Sequence, residues 1–163
     1  MKTLTLIHVA ISLIGILSGF IVVSGMLAGR RLNGWTSLFL ATTVATSVTG
    51  FFFPVDHFMP SHAVGILSLL VLALAIYARY ARHLEGAWRK IYVGGAVLAL
   101  YLNVFVGIVQ AFQKVPALKD LAPTQTEPPF KITQLLVLTL FVAIGIVATI
   151  RFHNQPNHET LLA

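Results

Sequence analysis

Apolar residues in this chain come in long runs separated by short polar breaks. Five runs stand out, at 4–28, 36–55, 62–78, 91–112 and 132–150. Each approaches the roughly 20 residues that cross a bilayer as a helix at about 1.5 Å per residue. The third is short unless Arg79 and Tyr80 carry it to residue 80 by sending their polar ends to the interface. None alternates strictly as barrel strands do, so the backbone is expected to satisfy itself within helices. The expected fold is an all-α integral membrane protein. It has one domain over 1–152, a bundle of five transmembrane helices, and a polar cytoplasmic tail over 153–163.

Composition supports lipid as the solvent. Charged residues make up 10% of the chain, against about 25% in ordinary soluble domains. The net charge of +6 then reads as topology. Arg30, Arg31, Arg79, Arg82, Arg89, Lys90 and Arg151 gather on one side; Lys2, Lys114, Lys119 and Lys131 fall on the other. The richer side faces the cytoplasm. The N-terminus is expected outside, the C-terminus inside, and Trp35 and Trp88 at the cytoplasmic boundary. The basic residues are split between loops without a recognition motif, so nucleic acid is not an expected partner. The first run exceeds a signal-peptide core and is followed by Arg30 and Arg31, which favours a retained helix. With no cysteine, disulfides, thiolate metal sites and thiol catalysis are excluded.

Within the runs, Gly15 and Gly19, and Gly25 and Gly29, form small-residue seams. They suit packing within the monomer first and a homo-oligomer second. The second run carries "ATTVATSVTG", with Thr42, Thr46 and Thr49 on one face and Thr43 and Ser47 beside it. Asn103 lies at matching depth in the fourth run and is expected to bond one of these hydroxyls. No Asp, Glu, Lys or Arg lies within a span. That argues against a proton pump or ion-coupled carrier, as does the lack of two matching halves.

The polar chemistry concentrates outside. "FPVDHFMPSH" (53–62) joins the second and third runs and holds Asp56, His57 and His62. His8 lies about one turn into the first helix. Gln110 and Gln113 end the fourth, Gln134 begins the fifth, and Asp120 and Glu127 sit in "QKVPALKDLAPTQTEPPFK" (113–131). In that loop Val115, Leu118 and Leu121 suggest a short surface helix, and four prolines a stiff, extended remainder. Imidazole and carboxylate are the usual ligands of zinc, copper and iron. The first functional reading is a divalent metal site, redox-linked or not, built from His8, His57 and His62 with Asp56 or Glu127. A second is haem b between helices on His8 and His62. A third is a quinone pocket near His8, Gln110 and Gln134. The plain alternative is a polar cap on the membrane boundary. A rival class is a non-catalytic accessory or scaffold subunit of a larger membrane complex. Whether the chain is an enzyme stays open; neither a nucleophile elbow nor a zincin helix is present. His83, His153 and His158 lie in solvated basic stretches, whose Arg-rich turns suit anionic headgroups.

The stretches "TGFFFPVDHFMPSHAVGILSLLVLALAIYARY", "IYVGGAVLALYLNVFVGIVQAF" and "KVPALKDLAPTQTEPPF" together resemble a group of small, uncharacterised bacterial inner-membrane proteins. The likeness covers roughly residues 48–150, and "LAPTQTEPPF" is its most specific part. It implies a bacterial inner-membrane location and carries over no activity, cofactor or catalytic residue.

Overall fold

The computed structural model describes residues 2–53 and 60–152. Among them every regular element is helical: α1 (Lys2–Leu27), α2 (Asn33–Gly50), α3 (Pro60–Ile76), α4 (Ala87–Lys114), α5 (Pro116–Leu121) and α6 (Pro128–Arg151). Each of the five apolar runs lies largely within one long helix. Most helices begin or end a few residues beyond their run, because backbone hydrogen bonding continues after the side chains turn polar. α2 is offset instead: its run was expected to reach residue 55, and its helix ends at Gly50.

Among the described residues, four helical stretches are long and apolar enough to cross a membrane: Lys2–Leu27, Ser61–Ala81, Ala87–Lys114 and Pro128–Arg151. α2 differs. Seven of its 18 residues are serine or threonine. Those hydroxyls mostly donate back along the helix, Thr42 to Leu38 O at 2.7 Å, Ser47 to Thr43 O at 2.9 Å and Thr49 to Ala45 O at 2.7 Å. Such back-bonding satisfies a hydroxyl without water.

α4 is the hub. It packs on α3, α6 and α1, touches α2, and is the most buried of the long helices, whereas α6 is the least. The core holds Met26, Phe39, Leu72, Tyr92, Val93 and Leu100. The α1 glycines are spent inside this bundle. A methyl at Gly15 would meet Asn103, Thr42 and Thr43 at 3.3 Å, and one at Gly19 would meet Leu100 and Phe39 at 2.6–3.0 Å. The seams read from the sequence are therefore intramolecular contacts. Gly29, at φ +69°, ends α1: Arg30 N–H reaches back to Gly25 O at 2.8 Å and Gly29 N–H to Met26 O at 3.1 Å. This is the Schellman arrangement, whose left-handed residue favours glycine.

One local expectation is corrected. The prolines of the 113–131 loop open helices instead of stretching the chain: Pro116 starts α5 and Pro128 starts α6. A missing N–H costs nothing in the first helical turn. α3 does run on past residue 78, to the end of the span at Ala81. It continues as a widened π-turn over Tyr77–Ala81. The added residue keeps Ala78 fully buried while the next, Arg79, also turns inward.

Candidate functional site

His8 leaves α1 toward the end of α2. Its Nδ1 lies 2.8 Å from Thr49 Oγ1. The Thr49 hydroxyl has one hydrogen, directed to Ala45 O at 2.7 Å. With that hydrogen on Ala45 O, the hydroxyl accepts from His8 Nδ1–H, the tautomer that keeps a lone pair on Nε2. The ring stands edge-on to Phe53, centroids 5.2 Å apart. Phe53 leads directly into the stretch with Asp56 and His57, which lie outside the described residues.

The other proposed ligands have separate surroundings. His62, in the first turn of α3, stacks on Phe51 with centroids 5.7 Å apart and planes 20° apart. α2 packs between α1 and α3, so His8 and His62 approach it from different neighbours. Glu127 is bound up in its own turn. It accepts Thr124 Oγ1 at 2.8 Å, Thr124 N–H at 3.2 Å and Thr126 N–H at 3.0 Å. The Thr124 hydroxyl, above all, holds its carboxyl below the usual range. The turn lies just before α6, whose N-cap is Glu127 itself with no side-chain cap bond. Among the described residues no three histidine or carboxylate side chains gather to hold a metal.

The quinone-type residues are also dispersed. Gln110 is exposed. Gln134 donates to Phe105 O at 3.3 Å and leaves its Oε1 buried without a partner. Gln113 donates to Gln125 Oε1 at 3.5 Å. Deeper in the bundle, Asn103 donates to Thr43 Oγ1 at 3.4 Å. The bond to a hydroxyl of α2 is as expected, although the partner is Thr43, with Thr46 Oγ1 buried and unpaired.

The opposite end holds side chains whose grouping the sequence did not reveal. A methyl on Gly29 would lie 3.5 Å from Arg151 O, Arg89 donates to Phe152 O, and Arg82 covers the Trp88 ring at 5.3 Å. Arg79 donates to Asn33 Oδ1 at 2.6 Å and to the Tyr92 hydroxyl at 3.3 Å. It also lies over the Tyr80 and Tyr92 rings, 5.6 and 5.3 Å from their centroids. The tyrosines spaced around Arg79 were the available signal, but the π-turn that aims it inward depends on α4 and α2. No protein-family model matches the chain, and no curated protein or solved structure is significantly similar to it.

Proposed function

We propose that the protein is a five-span bundle of a bacterial inner membrane, N-terminus outside, that binds a divalent metal ion at its outer end through His8, Asp56 and His57. α2 is counted as the fifth span because its hydroxyls are back-bonded or turned toward neighbouring helices, and its 18 residues cover about 27 Å. The orientation rests on the seven-to-four division of Lys and Arg.

One observation carries the metal reading. His8 Nδ1 lies 2.8 Å from Thr49 Oγ1, a contact that orients the ring and, with Nδ1 as donor, offers Nε2 as a ligand. Metal-binding imidazoles are commonly oriented in this way, by an acceptor on the other ring nitrogen. Asp56 and His57 follow Phe53, which touches the ring, by three and four residues. They supply the carboxylate and second imidazole that zinc, copper or iron take. In this reading His62 stays on its Phe51 stack and Glu127 with Thr124 and Thr126.

Detergent-purified protein loaded with zinc, copper or iron tests the proposal by elemental analysis and titration calorimetry. His8→Ala and His57→Ala lose the bound metal, and His83→Ala keeps it. Thr49→Val weakens binding about 10–100-fold, as loss of an orienting partner does. Binding weakens as pH falls, because an imidazole ligates only when unprotonated. Absence of a saturable site for all three metals refutes the reading.

A further inference from the structure

A cleft of about 460 Å³ runs between α4 and α6. Its α4 wall is Gly94, Val97, Leu98 and Tyr101, the i, i+3, i+4, i+7 stripe of one helix face. Its α6 wall extends from Leu138 to Ile150. Glycine makes the room. A methyl on Gly94 would meet nothing within 4 Å, and one on Gly145 would stop 3.5 Å from Val97 Cγ1. The walls are aliphatic and aromatic, and the Thr149 hydroxyl among them donates to Gly145 O at 2.7 Å. The cleft opens outward: Leu138, Val142 and Ile146 on its α6 side are all exposed.

Length and charge define what fills it. Tyr101 and Leu138 lie at the middle of α4 and α6, and the cleft runs from there toward one end only. The Tyr101 ring is braced at that depth by Phe105 and Phe141, with centroids 6.1 and 5.7 Å away. From Leu138 to Ile150 the helix rises about 18 Å, close to half of a hydrocarbon core about 30 Å thick. The cleft therefore serves a single leaflet. Beyond its open end, Lys90 lies four residues before Gly94 and continues the same stripe. Lys90 is exposed, and its long stem carries the ammonium to headgroup level.

We propose that the α4–α6 cleft binds one acyl chain of an anionic phospholipid, from the leaflet on the Lys90 side, with Lys90 meeting its phosphate. An acyl chain spans one leaflet, as the cleft does, and the phosphate above it carries the charge opposite to Lys90. A partner helix would cross both leaflets. A second copy on this face would set its own Lys90 against this one, because a twofold contact pairs a patch with itself. The bound chain fills space between α4 and α6 and braces α6, the least buried of the spans. The proposal rests on α4 and α6 crossing a bilayer, and on neither the metal nor the orientation.

The test uses full-length protein. Flotation with phosphatidylcholine vesicles checks membrane insertion. Native mass spectrometry from detergent then counts the lipids retained per chain as phosphatidylglycerol or phosphatidylcholine is titrated. The first phosphatidylglycerol binds about fivefold more tightly than phosphatidylcholine, the effect of one basic residue at headgroup level. Lys90→Gln abolishes that preference and keeps the bound chain. Gly94→Leu fills the cleft and removes the first lipid of either kind. Arg82→Gln takes an equal charge from the same end but changes nothing, since Arg82 covers Trp88, two residues and about 200° round α4 from Lys90. Protein that does not float overturns the membrane reading and this proposal together. Protein that floats but binds both lipids alike overturns the proposal alone. So does an equal loss of preference in Lys90→Gln and Arg82→Gln. Efficient disulfide-linked dimers of Ile146→Cys in dilute vesicles also overturn it, by assigning the cleft to a second copy.

Discussion

Replacing Gly19 by alanine tests the packing of α1, α2 and α4 most directly. The new methyl would lie 2.6 Å from Leu100 Cδ1 and 2.9 and 3.0 Å from two atoms of the Phe39 ring. Carbon atoms normally rest about 3.5–4.0 Å apart, so close to 1 Å has to be found. The end of a leucine side chain often yields. Here it has nowhere to go, since Leu100 and Phe39 are both 0% exposed. Overpacking of this kind costs about 1–3 kcal/mol. Alanine also removes the conformational cost of glycine in a helix, about 0.5–1 kcal/mol, which would mask part of the effect. Gly94→Ala supplies the reference: it is helical too, and a methyl there meets nothing within 4 Å. Subtracting the two variants cancels the helix term and leaves Gly19→Ala less stable by about 1–3 kcal/mol. Reversible unfolding in mixed detergent–dodecyl sulfate micelles, followed by circular dichroism, measures the difference. Agreement within about 0.5 kcal/mol, the scatter of inconsequential substitutions, would show slack at this crossing and refute the argument.

Three further outcomes are expected. Asn103→Leu lowers bundle stability in the same assay by about 0.6 kcal/mol and by no more than about 1.7, since its bond to Thr43 is long at 3.4 Å; loss of bound metal would place the metal site elsewhere. Glu127 has a depressed carboxyl pKa, so the contribution of its bonds to Thr124 and Thr126 is full above the ordinary value of 4.5 and is lost as pH falls through a lower midpoint. A carbon-13 carboxyl titration should find that midpoint below 4.5, and Thr124→Ala should raise it; an unchanged midpoint in the variant refutes the assigned cause. Reporter fusions after Asn33 and Glu85 should read cytoplasmic and one after Thr124 external, whereas an external signal at Glu85 inverts the proposed orientation.

The elements that lipid dictates were legible in the sequence; those that depend on a neighbouring helix were not. Apolar runs near bilayer length announce helices whatever they pack against, which is why α1, α4 and α6 lie where expected. The π-turn left no such mark, because Arg79 turns inward only where Tyr92 and Asn33 receive it. Asn103 could be assigned to α2 by depth, but the choice of Thr43 over Thr46 depends on the rotation of α2. His8 and His62 look close along the proposed outer surface, yet each packs against a different part of α2. Glu127 hydrogen-bonds Thr124 and Thr126 of its own loop, a turn that the spacing of apolar runs does not reveal.

The ring of contacts also imposes an order of assembly. α1 and α2 are joined by the short 28–32 turn and make the most extensive helix pairing in the molecule. This hairpin can pair while the remainder of the chain is still being synthesised, before α4 arrives to pack on Gly15, Gly19 and Thr43. α6 is different: it closes against α1 through Phe20 and Phe141, 6.2 Å apart, and it is complete only about 100 residues after α2 ends. At roughly 5–20 residues per second, that flank of α1 waits about 5–20 seconds for its partner. A lipid-facing helix can wait at little cost, because acyl chains cover its phenylalanine as readily as another helix does. The same chain in water would expose that flank for the whole interval. Truncation before residue 128 should therefore leave an inserted, folded hairpin with an open side, and α6 supplied as a separate peptide should still find it.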